Sequence, residues 1–173
     1  MADGSTRPIA RVEVGDRVLA HNPHTGADEA REVLDAPVHE GAATWRVSTD
    51  DGGTVTTTPT HRFWVQGAGW TKAQDLVPGD RLRPTAGPGA PPNTTNPTEN
   101  PHTNTTDPTD GAVVVESQPT GQAATVHNLT IHGLTNYYIT TTGTRALVHN
   151  EYGTQVPYDS MVCVRGKIML QPA

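Results

Sequence analysis

One ten-residue segment occurs twice in this chain. The copies read IARVEVGDRV (Ile9–Val18) and AQDLVPGDRL (Ala73–Leu82), and they superpose without a gap. In each copy, apolar residues recur at every third position and Gly-Asp-Arg leads into a strand-like sequence. This pattern predicts a one-turn helical segment capped by Gly. Two copies are too few for a solenoid, so the duplication predicts two similar β halves related by a pseudo-two-fold axis.

The rest of the ordered sequence predicts β-strands. TWRVST (Thr44–Thr49) alternates in polarity, DDGG turns, and TVTTT (Thr54–Thr58) returns, which indicates a hairpin. In the second half we expect strands near Thr125–Ile131 and Asn136–Thr140, then a last short strand at Ala146–His149. Long helical periodicity is absent, so we predict an all-β fold.

Residues 84–111 contain no Val, Ile, Leu, Met, Phe, Trp, Tyr or Cys. Such a Pro/Thr/Asn-rich tract cannot offset its ordering entropy by burial, and we predict a disordered linker insertion. It takes the place that the short loop HNPHTGADEA has in the first half. A flexible coil of this length spans on the order of 30 Å, which leaves the distance between its flanks open. The domain then comprises residues 1–83 and 112–150.

Residues 151–173 form a C-terminal tail that is too short for an independent domain. Its segment MVCVRGKIML is apolar enough for one strand. It is either the stub of a released domain or a strand that docks back onto the sheets.

Composition excludes several classes of function. The net charge is −6 with no block of like charge, which argues against nucleic-acid and membrane partners. No apolar run approaches the length of a membrane span, and no signal peptide is recognisable. The single cysteine, Cys163, makes no disulfide within the chain. The eight histidines show no ligand spacing, so we expect no metal and no other cofactor.

The three tryptophans offer two readings. Trp45, Trp64 and Trp70 would suit a ligand platform, but the chain has only one Phe. We therefore interpret them as core anchors of the two halves.

The pair His149-Asn150 ends the last predicted strand. The side-chain amide of Asn150 can attack its own backbone carbonyl, which closes a succinimide and breaks the bond to Glu151. The reaction needs a proton for the departing nitrogen and polarisation of the carbonyl. His149 is a candidate donor because an imidazole titrates near neutral pH. The alternative is a surface turn with Asn in a left-handed conformation.

A second candidate lies in TTTPTHRFWV, where Thr58 and His61 flank Pro59. The proline bends the chain, so the hydroxyl and the imidazole can line one concave site and activate an acyl transfer. The alternative is a structural histidine at the end of a strand.

Together these motifs resemble the Hint fold, the autoprocessing domain shared by inteins and hedgehog C-terminal domains. Thr58-x-x-His61 resembles the family's Thr-x-x-His block, ALVHN its terminal His-Asn block, and VHNLTI with NYYI the preceding strand pair. The similarity is closest to the pretoxin-Hint type of bacterial polymorphic toxins and covers about residues 1–150. It implies an all-β horseshoe with pseudo-two-fold symmetry.

The resemblance also implies a function. His61 and Thr58 would polarise the peptide bond at the domain's N-terminal junction, and His149 would assist cyclisation of Asn150. The chain would be cut after Asn150 in a single turnover, releasing a C-terminal toxin domain from an exported carrier. The partner is then the chain's own flanking segment, and we expect a monomer.

The sequence departs from the family pattern at three places. The family nucleophile, Cys or Ser, precedes the segment matching MADGSTRPI, so for the chain as given we expect neither a thioester nor N-terminal cleavage. Glu151 stands where splicing families carry a nucleophile, so we expect cleavage without ligation. Two side chains that assist Asn cyclisation in inteins are replaced in this chain. The histidine is replaced by Thr135 or Asn136, and the aspartate by Asn128.

These departures leave two other interpretations. A degenerate Hint module would act as a non-catalytic spacer. A secreted β-rich binding domain would not depend on His61.

Overall fold

The computed structural model describes residues 6–84, 111–140, 145–149, 156–157 and 161–165. Apart from two 3₁₀ segments, Ile9–Arg11 and Ala73–Asp75, its regular elements are strands. In chain order these are β1 Thr6–Pro8, β2 Arg17–His21, β3 Asp28–Asp35, β4 Val38–Thr49, β5 Thr54–Thr57, β6 Arg62–Val65, β7 Gly69–Lys72, β8 Val114–His127, β9 Thr130–Ile131, β10 Asn136–Thr140, β11 Arg145–His149, β12 Val156–Pro157 and β13 Met161–Arg165. The all-β prediction is confirmed.

The strands form two antiparallel sheets. The larger has the order β7-β6-β11-β10-β13-β2-β3-β9, with β1 paired to β13. The smaller has the order β12-β8-β4-β5. The predicted hairpin is its β4–β5 pair, in register from Trp45–Thr57 to Ser48–Thr54. In the described residues no helix is long and apolar enough to cross a membrane.

The duplicated segments adopt matching structures. Each begins with a 3₁₀ segment, Ile9–Arg11 or Ala73–Asp75, at its first three residues. The apolar residues that the repeat shares are buried in both copies: Ile9, Val12 and Val18 in the first, Ala73, Leu76 and Leu82 in the second. This equivalence confirms the two related halves.

A turn after each 3₁₀ segment carries the Gly-Asp of the repeat. The Asp16 N–H donates to Glu13 O, and the Asp80 N–H donates to Val77 O, both at 3.1 Å. The third residues of these turns, Gly15 and Gly79, have φ of 91° and 101°, which non-glycine residues adopt only with strain. In both copies the aspartate carboxylate closes the turn by accepting the first residue's N–H at 2.9 Å.

The prediction that Gly caps the helical segment is therefore wrong in detail. The residues that end the 3₁₀ segments are Val12 and Leu76, both extended, with ψ of 131° and 138°. The glycines belong to the next turn because the Asp side chain, rather than a helix end, fixes that backbone.

The flanks of residues 84–111 are held side by side. The Leu82 N–H donates to Ala112 O at 2.9 Å, and Arg81 forms a β-bridge with Val113. The Gly79 N–H donates to Val114 O at 2.8 Å, just as the Gly15 N–H donates to Val33 O at 2.9 Å in the first half. This correspondence confirms that the tract is inserted at the position of the first half's short loop. Residues 85–110, and with them the predicted disorder, lie outside the described residues.

The predicted strand at Thr125–Ile131 is interrupted. β8 ends at His127 and β9 begins at Thr130. Between them the Asn128 N–H donates to Pro37 O at 3.0 Å, and Asn128 Oδ1 accepts the Leu129 N–H at 2.9 Å. Local bonding of this kind competes with the sheet ladder and ends the strand.

The core lies between the sheets and is dominated by Val, Ile, Leu and Tyr. Its largest fully buried side chains are Tyr137, Tyr138 and Phe63. The tryptophans are only partly buried: Trp45 packs against the main cluster, and Trp64 and Trp70 flank a small second cluster. They therefore lie at the edge of the core, rather than anchoring it.

Candidate functional site

The Thr-x-x-His motif forms a tight turn between β5 and β6. The His61 N–H donates to Thr58 O at 3.1 Å, and Pro59 occupies the second position, where its fixed φ suits a turn. Thr58 and His61 are both buried, and His61 has no exposed surface. The second 3₁₀ segment holds the turn, because the Ala73 N–H donates to His61 O at 2.8 Å and the Gln74 N–H to Pro59 O at 3.0 Å.

The His61 imidazole packs edge-on against Phe63. Their ring centroids are 5.6 Å apart and the rings are inclined at 85°. Since Phe63 is a central core residue with no exposed surface, it fixes the side of the turn on which the imidazole lies. A polar ring with no solvent contact interacts more strongly with neighbouring charge than it would in water.

His149 is the last residue of β11 and is half-buried. Its imidazole lies against Trp70 of β7, with ring centroids 4.9 Å apart and an interplanar angle of 81°. Trp70 in turn packs edge-on against Trp64 at 5.1 Å. The tryptophan pair therefore sets the position of the His149 ring, a role that the sequence did not reveal.

The fold brings the two histidine motifs to neighbouring strands. β11 pairs with β6 through Val148 and Phe63. His149 follows Val148 directly, and His61 precedes Phe63 by two residues, so both lie at the same end of this antiparallel pair. Asn150 lies outside the described residues, and its predicted role remains a prediction.

Asn136 and Asn128 support the backbone beside this site. Asn136 is the register partner of His149 across β10 and β11. Its amide bonds to both backbone groups of His21: Oδ1 accepts the N–H at 2.7 Å and Nδ2 donates to the carbonyl at 2.9 Å. Asn128 Oδ1 accepts from Leu129 N and from Tyr137 Oη, at 2.9 and 3.3 Å. In this chain both amides hold the fold together.

A buried polar network, which the sequence did not reveal, lies next to the bonds between Asn136 and the His21 backbone. Asp28 Oδ1 is 2.9 Å from His21 Nδ1 and accepts the Tyr138 hydroxyl at 3.0 Å. Burial raises the pKa of Tyr138 well above its ordinary value, and the adjacent Asp28 charge adds to the shift. Burial likewise raises the pKa of Tyr137. Both phenols therefore remain hydrogen-bond donors. The network links β2 and β3 to β10, one strand away from His149.

No cluster of three or more His, Cys, Asp or Glu suited to a metal ion occurs in the described part of the chain. The side chains of Asn136, Asn128, Asp28 and Tyr138 bond to one another, to neighbouring side chains and to backbone within the fold.

The chain matches the family model described as the pretoxin HINT domain over residues 1–92, more than half of its 173 residues. No curated protein sequence matches it significantly.

Solved structures share its fold. A bacterial intein-like domain from Clostridium thermocellum is 23% identical, with 82% of this chain and 86% of that one covered and a TM-score of 0.58. A mutant of an Ssp DnaB mini-intein variant is 20% identical, with 87% and 91% covered and a TM-score of 0.61. A DnaB intein from Synechocystis sp. is 19% identical, with 80% and 81% covered and a TM-score of 0.56. At these identities the likeness establishes the Hint architecture, and together with the family match it shows that the chain belongs to the pretoxin Hint domain family.

Proposed function

We propose that this Hint module cuts its own backbone after Asn150. Asn150 Nδ2 attacks the Asn150 carbonyl carbon, so that one C–N bond forms and the bond to the Glu151 nitrogen breaks. One proton leaves Nδ2 and one proton reaches the Glu151 nitrogen, which departs as a free amine. The N-terminal product ends in a succinimide, and no water is consumed in this step.

The position of the two histidines carries the proposal. The register from Val148–Phe63, continued by two residues, would set position 150 opposite His61. The junction would then lie between a buried imidazole and the half-buried ring of His149. Such a site excludes bulk water while supplying groups that exchange protons near neutral pH.

We assign distinct roles to these side chains. His149 delivers the proton to the departing nitrogen, because it adjoins the scissile residue and Trp70 restrains its ring. His61, held in its turn with Thr58, polarises the Asn150 carbonyl under attack, a role distinct from the one that the family resemblance implies at the N-terminal junction. The aligned geometry makes the reaction effectively unimolecular, which supplies much of the acceleration.

The outcome of the reaction is cleavage rather than splicing. Glu151 follows the cut, and a carboxylate cannot take over the acyl group as a Cys, Ser or Thr would. The module would act once, in cis, on its own flanking segment. The description of the family as a pretoxin domain supports the proposal that the released segment is an effector, freed from an exported carrier.

The test is intact-mass spectrometry of the purified chain during a long incubation near neutral pH. We expect two fragments, the first ending at residue 150 and lighter by one water than its free acid, the second beginning at Glu151. Asn150→Ala abolishes the cut. A cut that survives Asn150→Ala, or a first fragment that has gained water from the outset, identifies ordinary proteolysis and contradicts the proposal.

Histidine variants test the assigned roles. His149→Ala and His61→Gln slow the cut by about 10²-fold or more, the contribution typical of one positioned acid or base. The matched control is His132→Ala, because that histidine is exposed in a turn beyond the site. Circular dichroism checks that the His61 variant folds.

A non-catalytic spacer is the second candidate. It is favoured by the structural bonds of Asn136 and Asn128, because the resemblance to inteins implies that Thr135 or Asn136, and Asn128, replace groups that assist cyclisation there. A chain that stays at full length throughout the incubation selects this alternative.

A further inference from the structure

The chain beyond Asn150 returns to the centre of the large sheet. Residues 161–165 form β13, which lies between β10 and β2 in the strand order. Its backbone pairs antiparallel with three other strands: Thr6–Pro8 of β1, Ile139–Thr140 of β10 and Arg17–Val18 of β2. It is an internal strand, with partners along both of its edges.

A second anchor point precedes it. Val156 and Pro157 form β12, which pairs with His127 and Val126 of β8 in the small sheet. Residues on the C-terminal side of position 150 therefore pair with both sheets, whereas the covalent link to the rest of the domain is a single chain through residues 150–155.

Internal strands are difficult to remove from a sheet. Both rows of their backbone N–H and C=O groups are paired, and withdrawal exposes the edges of the neighbouring strands. Added strands of this kind derive their affinity from main-chain hydrogen bonds, as in peptides that bind by β-augmentation. The run Met161-Val162-Cys163-Val164 has the continuous apolar character typical of a strand covered on both faces.

We propose that the edges of β1, β2 and β10 form a binding slot for an extended apolar segment, and that the chain's own residues 161–165 occupy it. The C-terminal segment then stays attached without a covalent bond once the backbone between His149 and Val156 is cut. Cutting and release are separate steps, and release requires withdrawal of β13 or its replacement by another apolar strand.

The experiment uses the full chain with a protease recognition sequence inserted after Glu151, in an Asn150→Ala background. The cut then does not depend on the chemistry proposed for Asn150, so a chain that never cleaves itself tests the slot equally well. After digestion, gel filtration and native mass spectrometry measure whether the C-terminal fragment remains bound. We expect both pieces in one complex that separates only in denaturant. Immediate loss of the fragment on a native column overturns the proposal.

Proline substitution locates the contact. Val162→Pro removes a backbone donor from a residue paired with both Arg7 and Ile139, and it should shorten the fragment's residence time by about tenfold or more. Met169→Pro lies four residues beyond β13 and should leave the residence time unchanged. Equal residence times for the two variants assign retention to another part of the tail, and this result also overturns the slot.

A labelled peptide of residues 156–173 provides a further measurement. Added in excess to the cut complex, it should replace the bound fragment on the timescale set by dissociation, and the same peptide with Val162→Pro should not. Exchange by both peptides to the same extent contradicts recognition by strand pairing.

Discussion

Removing the Tyr138 hydroxyl should destabilise the domain more than removing that of its neighbour Tyr137. The two residues are adjacent in β10, have no exposed surface and project to opposite faces of the sheet. Tyr138→Phe and Tyr137→Phe delete the same atom from equally buried sites. The variants therefore differ chiefly in the bonds of the two hydroxyls. Tyr138 Oη also lies 3.4 Å from Pro84 O, a distance at which a hydrogen bond is weak.

The magnitudes follow from those bonds. Tyr138 Oη donates at 3.0 Å to the Asp28 carboxylate, whose side chain is 3% exposed. A bond to a charged group of this kind contributes about 1.5–3 kcal/mol. Tyr137 Oη donates at 3.3 Å to the neutral amide of Asn128, a bond that contributes about 0.5–1.5 kcal/mol. We expect the two variants to differ by about 1 kcal/mol.

Urea denaturation followed by tryptophan fluorescence measures the difference. Both variants should shift the midpoint without changing the m-value, because neither changes the surface exposed on unfolding. A double-mutant cycle of Tyr138→Phe with Asp28→Asn then isolates the pair, and we expect a coupling of about 1 kcal/mol. Equal costs for the two tyrosines, together with no coupling, would refute the reasoning from the buried carboxylate.

Three further outcomes are expected. Trp70→Leu should move the NMR signals of the His149 ring towards random-coil values. Trp70→Phe should preserve part of the ring-current shift, because it keeps an aromatic partner near the 4.9 Å contact. Unchanged signals in the Leu variant would exclude Trp70 as the positioning residue. Gly79→Ala should lower the free energy of unfolding in urea by about 1–2 kcal/mol. Backbone strain alone is the cause, since φ is +101° and an added Cβ meets no atom within 4 Å. An unchanged free energy would mean that the turn relaxes. Burial lowers the pKa of His127, so the unfolded chain binds a proton at a pH where the folded chain does not. The free energy of unfolding should therefore fall as pH drops below the unfolded pKa of about 6.5 and stay level above it. His127→Gln should reduce this slope in pH-dependent unfolding curves.

Local structure was predictable where the sequence repeats itself. The shared pattern of Ile9–Val18 and Ala73–Leu82 predicts a helical turn followed by a strand in each half. Both 3₁₀ segments are present. The first copy leads into β2, whereas Arg81 and Leu82 of the second copy form only isolated β-bridges. Such features depend on residues a few positions apart, whose steric and hydrogen-bonding preferences are visible in the sequence. The role of the aspartates was missed because Gly-Asp after a turn has several local solutions.

Long-range pairing was less accessible. Nothing near Asp28 indicates that its carboxylate meets Tyr138, 110 positions away. The apolar run MVCV predicts that β13 is a strand but not which edges it joins, since strand pairing depends on partners elsewhere in the chain. The proximity of His61 to His149 was predicted only through the family resemblance, because neither motif specifies the other.

The paired flanks of the inserted tract bear on how this domain tolerates change. Leu82 and Ala112 are already hydrogen-bonded, so the connection between them closes a loop whose ends the sheet holds together. Doubling the length of such a loop costs only about 0.6 kcal/mol. Selection on stability therefore acts weakly on the length and amino-acid sequence of residues 85–110. A foreign domain could be inserted at this point, or the gene divided here into two complementing fragments.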